Sequence, residues 1–343
     1  MKAAVIEKYG TITLRELPTP EMGEYDALCE LLYGATCSGT DIHLIEGHPP
    51  LCNWVQLPFI LGHESIGRVV KLGRKVRHYK LGDLVTRAGA PGGNGVNAGW
   101  GGFAEFGIVK DHWAMAADGL PASEWLGSRN NQIVPTGVDP TVAPMFTSWR
   151  ETLSTSIRMG IGAGASVLIA GSGGNGLAFA ANARNLGADC IAMVGSAQRE
   201  TMVKAKLGVK HYVNYKEADL AALLNQVRPE GFDFIVDAIG KTGLADRLLP
   251  ALKAGGRYLT YGVDDLGSIS FNCARARGAF TVMPCAYDEA EVHQQVVEAV
   301  LQGKLDANLW YDTAHPYPLD RISEAFAAIR ERKIIKALIK LTP

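Results

Sequence analysis

The sequence predicts an α/β protein of two domains, one β-rich and one built on a doubly wound parallel sheet. Three observations carry that reading. The chain has 343 residues, enough for two separate cores. Its rhythm changes near residue 146, from short strands broken by glycine and proline to regular strand–helix–strand alternation. An apolar run, Ser166 to Ala170, then leads through the turn Gly171-Ser172-Gly173-Gly174-Asn175-Gly176 into an alanine-rich helical stretch.

The totals narrow the function classes. Hydrophobic residues make up 47% and charged residues 20%, with a formal net charge of -1. That balance leaves no electrostatic footprint for nucleic acid or an anionic membrane surface. No apolar run reaches membrane-spanning length. Residues 1–7 read as a first strand rather than a signal peptide. The six cysteines, at 29, 37, 52, 190, 273 and 285, form no C-x-x-C pair, so a reduced, cytoplasmic setting is expected.

In chain order, strands are expected at 2–7, 11–16, 27–35, 65–72, 84–88 and 103–109, with partial alternation and frequent turns. Residues 89–102 are glycine-dense and almost uncharged, and read as a loop. Past residue 146 come strands at 166–170, 190–194, 211–213, 232–237, 257–263 and 280–285. Helices lie between and after them at 177–186, 200–207, 218–227, 244–252 and 289–302. The tail adds a short helix at 322–332 and an extended segment at 336–341. The nucleotide-binding stretch spans 146–304, and residues 1–145 are completed by 305–343.

The glycine turn is the first chemical signal. Gly171 permits a tight turn, Gly173 lets backbone approach a pyrophosphate, and Gly176 lets helix pack on strand. Gly174 and Asn175 open the helix, whose N-terminal N–H groups and dipole face the phosphates. A dinucleotide is expected there.

Further motifs, in order, are Gly39-Thr40-Asp41-Ile42-His43, Leu61-Gly62-His63-Glu64 and Gly101-Gly102-Phe103-Ala104-Glu105-Phe106. Tyr317-Pro318-Leu319 and Glu324-Ala325-Phe326 follow the glycine turn. With them the chain resembles the medium-chain dehydrogenase/reductase superfamily, in its zinc-type alcohol and polyol dehydrogenase branch. The resemblance implies a GroES-like catalytic domain enclosing a Rossmann domain. It also implies a nicotinamide cofactor, a small-molecule substrate, and a homodimer or homotetramer paired through the strand at 280–285.

An acid at the end of the second nucleotide-domain strand would bind the ribose 2′-OH of NAD. Here stand Gly195 and Ser196, with Arg199 beyond them and Tyr215 nineteen residues after Ser196. Glycine leaves room for a 2′-phosphate, serine can bond it, and Arg199 can pair with its charge. The relatives with Gly-Ser here are NADP-dependent secondary alcohol dehydrogenases that carry Arg directly after the Ser. Ala197 intervenes in this chain, so Arg199 or Lys204 substitutes. NADP(H) is expected over NAD(H).

In zinc-dependent relatives a Cys, the His of Gly-His-Glu and a later Cys, Asp or Glu hold the metal. His63 and Glu64 match. Counting back from Thr40 and His43 puts Ser38 in the cysteine slot, with Cys37 one residue early. Along a strand one residue is the difference between opposite faces, so Cys37 reaches the site only where a bulge or turn shifts the register. Thr147 fills the third slot, and Glu151 would share its face one helical turn later. Two readings stay open: zinc on Cys37 or Ser38, His63, Glu64 and Glu151, or no metal and hydrogen-bond donors alone at the developing oxyanion. No cysteine falls in 89–102, so no structural zinc is expected.

Alcohol oxidation also releases a proton, and the resemblance assigns its route to Thr40 and His43, with Ser38 and His63 beside them. Trp54, Trp100, Phe103 and Trp149 are expected around the substrate, and Glu46, His48, Asn94 and Arg150 are candidate polar contacts. The expected function is NADP(H)-dependent interconversion of a secondary alcohol or polyol and its ketone. The alternatives are a zinc-free reductase of an activated C=C or C=N bond, and a nucleotide-binding sensor without turnover.

Overall fold

The computed structural model describes residues 1–265 and 268–342. Two compact units divide it. One is Met1–Arg150 with Asp288–Pro343, and the other is Glu151–Tyr287.

The first unit is mainly antiparallel. Asp26–Ala35 runs through a seven-stranded sheet, pairing with Glu64–Leu72, Phe106–Lys110 and the C-terminal strand Leu338–Lys340. Its register against Glu64–Leu72 shifts twice, between Leu28 and Cys29 and between Leu31 and Tyr33. Such bulges bend and twist a strand. A four-stranded sheet sets Lys2–Lys8 between Thr11–Glu16 and Phe59–Ile60. Three expected strands are shorter or displaced, as Leu84–Thr86, Phe106–Lys110 and Leu338–Lys340. Short helices break the β-rich reading at Thr40–Glu46, Leu51–Trp54 and His112–Ala117. The glycine-dense stretch is a loop with one two-residue strand, Asn97–Ala98, as expected from its composition.

The second unit carries a six-stranded, wholly parallel sheet. From one edge its order is His211–Asn214, Cys190–Gly195, Ser166–Ala170, Phe232–Asp237, Leu252–Thr260 and Thr281–Met283. Chain order runs outward in both directions from Ser166–Ala170, which makes its C-terminal end the switch point where ligands bind in such sheets. All five residues of that strand are buried, which explains an apolar run without alternation. Leu252–Thr260 begins inside the stretch expected as helix, because the helix stops at Leu248 and a single 3-10 turn holding Pro250 follows. The last strand has three residues, not six, and lies at the sheet's edge with Val282 exposed.

The helix expected at 289–302 is a 3-10 turn, Glu289–Val292, followed by His293–Leu301, and both lie in the first unit. Its partners explain why. Glu289, buried, accepts two bonds from Arg87 (3.0 and 2.6 Å) and one from the fully buried Arg150 (2.6 Å). Burial works against the Glu289 charge, but Arg87 and Arg150 outweigh it and hold the carboxyl below its usual range. His293 Nε2 lies 2.9 Å from the Ile133 carbonyl, so that nitrogen carries the proton. Arg150 Nη1 stands 3.4 Å from Nδ1. Burial and the neighbouring Arg150 push the His293 pKa down to about 4.

Two outcomes follow from this cluster. Glu289→Ala leaves two buried guanidiniums without their carboxylate and is expected to cost about 3–5 kcal/mol by urea unfolding. His293 is neutral when folded and titrates near 6.5 when unfolded, so its contribution is complete above pH ~6.5. It is lost as the pH falls towards about 4, by at most roughly 3 kcal/mol. Urea midpoints measured across that window should fall in the wild type and fall less in His293→Gln. An equal slope in both would refute the assignment.

Candidate active site

In the first unit, the strand Asp26–Ala35 ends before the segment in question, and Cys37 lies in the loop that follows. The opposite-face argument therefore does not apply to it. The added residue is taken up by the turn at Ser38 and Gly39, closed by Asp41 N–H on the Cys37 carbonyl (2.9 Å) and Cys37 N–H on Asp41 Oδ2 (2.8 Å). Cys37, His63 and Glu64 come together, all buried, with one potential ligand atom from each within 4.8 Å of the others. Ser38 stays in the turn and does not line the adjoining pocket. Phe103 fixes the other side. Its buried ring leaves no space for a Cβ at residue 62, which would stand 2.6 Å from it, and Gly62 also has φ +92°.

Glu151 is not in this group. Its carboxylate accepts a 2.7 Å bond from Tyr261 within the second unit. Thr147 is buried at the start of the helix Phe146–Met159. Three further groups escaped the sequence reading. Lys336 Nζ lies 2.6 Å from both oxygens of Glu64, buried on both sides, and Ser148 donates to the same carboxylate at 3.1 Å. Asp41 Oδ1 stands 3.2 Å from His63 Nδ1.

The electrostatics are strong because the site is dry. Burial lowers the His63 pKa, yet Asp41 and then Cys37 outweigh it, and the imidazole sits well above its ordinary value. Lys336 behaves alike: burial opposes its charge, while Glu64, Cys37 and Asp41 raise its pKa. With Cys37 as thiolate and His63 neutral, the sulfur and the two carboxylates exceed Lys336 by two negative charges. A divalent cation offsets that excess, and thiolate with imidazole is a donor set zinc accepts. The residues fit such an ion.

Thr40 begins the helix Thr40–Glu46, with its hydroxyl 3.8 Å from the Cys37 sulfur. His43, on the same face one turn on, donates from Nδ1 to the Gly39 carbonyl at 2.6 Å. Thr40 also lines a pocket of about 560 Å³ in this unit, walled by Trp54 and Trp100. The Trp100 ring lies 5.4 Å from the His63 ring. The other expected wall residues are elsewhere: Phe103 and Trp149 are core residues, and Arg150 bonds Glu289. Glu46 pairs with Arg330 at 2.8 Å, and neither His48 nor Asn94 lines the pocket.

In the second unit, the helix Gly174–Asn185 opens at the switch point, as the glycine turn requires. A Cβ on Gly176 would stand 1.8 Å from the Gly171 carbonyl oxygen, and this contact fixes the turn. Gly195 differs from expectation. A Cβ there would lie 2.1 Å from the Tyr212 hydroxyl and 2.4 Å from that of Ser172. Its space is taken by protein, so glycine serves packing rather than making room for a phosphate. Ser196 follows directly, and Arg199 Nη1 donates to the Ser172 carbonyl at 3.2 Å, which sets the guanidinium beside the glycine turn. Lys204 is engaged with Glu200 at 2.7 Å. Tyr215 donates its N–H to Gly195 O (3.0 Å) and packs on the core.

Among known proteins, residues 23–119 match the family model described as alcohol dehydrogenase GroES-like domain, and residues 174–300 that of zinc-binding dehydrogenase. The chain is 25% identical, over 96% of both lengths, to L-threonine 3-dehydrogenase of Yersinia pestis. Its fold is that of benzyl alcohol dehydrogenase from Acinetobacter calcoaceticus (TM-score 0.85, 19% identity, 99% of each chain). It is also similar to 2R,3R-butanediol dehydrogenase from Bacillus subtilis (0.80, 21%, 99% of each). A third match is a putative zinc-binding dehydrogenase from Sinorhizobium meliloti bound to NADP (0.79, 22%, 99% and 98%).

Metal loading should be visible in protons. Zn²⁺ added to metal-free protein is expected to release the proton of His63, whose imidazole Asp41 holds well above its ordinary pKa. Calorimetry in buffers of different ionisation enthalpy detects it. Binding without release would contradict this donor assignment.

Proposed function

Because the chain belongs to the medium-chain dehydrogenase/reductase superfamily, in its zinc-type branch, we propose that it interconverts a secondary alcohol or polyol and its ketone with NADP(H). It is an oxidoreductase of the alcohol dehydrogenase type, and the sensor without turnover is set aside. The observation that carries the proposal is the convergence of Cys37, His63 and Glu64 beside a pocket that Thr40 lines.

Cys37 and His63, with Glu64, would hold a divalent metal. Such an ion, when bound, polarises the substrate's oxygen as a Lewis acid. Asp41 sets a carboxylate oxygen 3.2 Å from Nδ1 of His63, where its negative charge faces the ring. Lys336 keeps Glu64 charged but neutralised, so the carboxylate neither wanders nor dominates the field. Thr40 takes the alcohol proton, and His43 passes it on through Nε2, since its Nδ1–H is committed to Gly39.

Support for NADP(H) comes from the lack of an acid at 195–199 and from Arg199 beside the glycine turn. Gly171, Gly173, Gly174, Asn175 and Gly176 would cradle the pyrophosphate, with Tyr215 behind Ser196. The exposed edge strand Thr281–Met283 supports a homodimer or homotetramer. Among the described residues no helix is long and apolar enough to cross a membrane, and we place the protein in the cytoplasm.

Two measurements test this reading. Arg199→Ala should weaken NADPH binding by about tenfold or more while leaving NADH within about twofold. A wild-type preference for NADH would overturn the cofactor assignment. Chelation should abolish ketone reduction and zinc should restore it. Full activity in metal-free protein would favour the zinc-free reductase, whose case is that Lys336 already occupies Glu64.

A further inference from the structure

The pocket beside Thr40 has a composition that narrows the substrate. Its two tryptophans are unusually open, Trp54 at 65% and Trp100 at 40% of full exposure. An indole left in water inside a concavity offers a flat apolar face to a ring. The lining also holds three carboxamides, Asn53, Gln56 and Asn97, the last with its nitrogen on the Gln56 carbonyl at 3.0 Å, and Thr40, whose hydroxyl lies 3.8 Å from the Cys37 sulfur. Among the described residues that line the pocket, none is ionisable.

From this lining we infer that the pocket selects an uncharged, hydroxyl-bearing ring: a cyclic polyol and the ketone it yields. The inference rests on the alcohol–ketone reading proposed above and sharpens it. Carboxamides donate and accept, which matches hydroxyls disposed around a ring, while the indoles cover its C–H faces. An amino-acid alcohol such as threonine carries an ammonium and a carboxylate, and the lining has no counter-charge for either. A plain hydrocarbon ring would leave the carboxamides unmatched. In the reaction the ring's carbinol C–H passes as hydride to NADP⁺, the hydroxyl proton leaves through Thr40, and the C=O forms. NADP⁺ is the oxidant and takes both electrons.

The test is steady-state kinetics with NADP⁺ on the zinc-loaded protein, using a cyclohexanehexol, a pyranose sugar, cyclohexanol and L-threonine. At least one hydroxylated ring is expected to exceed cyclohexanol in kcat/KM by roughly tenfold or more, with no turnover of L-threonine. Trp54 is mostly exposed, so Trp54→Ala should fold normally and raise KM for that ring by about tenfold with little change in kcat. Cyclohexanol or L-threonine turned over better than every hydroxylated ring would overturn the inference and leave the alcohol–ketone reading standing. Silence with all four, and with their ketones and NADPH, would overturn the reading itself. The pocket is then judged by tryptophan emission alone: quenching by a hydroxylated ring but not by cyclohexanol supports it, and no quenching by any hydroxylated ring removes it.

Discussion

The contact on which the site depends is the buried pairing of Lys336 with Glu64. Two ionised groups in a dry interior are tolerated only when each has its partner, because an isolated one would cost several kcal/mol. Thr36 and Ala337 bond each other beside it, which fixes the backbone on both sides. The pairing lets a second carboxylate, Asp41, and a thiol, Cys37, share the same small volume without collapsing the charge balance. It also leaves the cluster two charges short of neutrality in its metal-binding ionisation state, which is the condition for a divalent cation to bind tightly.

Much of this was legible in the sequence, and what was not has a common cause. The glycine turn was readable because its constraints are local: a strand, a helix and a close backbone approach fall within a few residues. His63, Glu64 and Thr40 stand near one another, as motif and spacing suggested. Cys37 stood one residue early and needed a bulge or turn to reach the site, and the turn at Ser38 and Gly39, closed by Asp41, supplies it. Lys336 was invisible because a lysine 272 residues from its partner looks like a solvated surface residue. Arg150, read as a pocket residue, belongs instead to Glu289 for the same reason: its partner is distant in sequence.

Gly195 carries a related lesson. A glycine where relatives place an acid invites the reading that space has been cleared for a larger ligand. Here the space is filled by Tyr212 and Ser172. The missing side chain therefore reports internal packing, and any preference for the phosphorylated cofactor has to come from Ser196 and Arg199. Likewise, of four aromatic residues near the site motifs, only the two left exposed, Trp54 and Trp100, line the pocket.

The way the first unit is closed has a consequence for how the protein is made. The strand Leu338–Lys340 and Lys336 arrive after the whole of Glu151–Tyr287 has been synthesised. A nascent chain can complete the parallel-sheet unit early, since all its strands are already out of the ribosome. The group of Cys37, His63 and Glu64, in contrast, spends most of translation with Glu64 unneutralised and one neighbour of Asp26–Ala35 missing. Its contacts are among the most widely separated in the chain, and such contacts form last. Lys336 and the strand Leu338–Lys340 are thus the late arrivals that neutralise Glu64 and give Asp26–Ala35 its remaining neighbour.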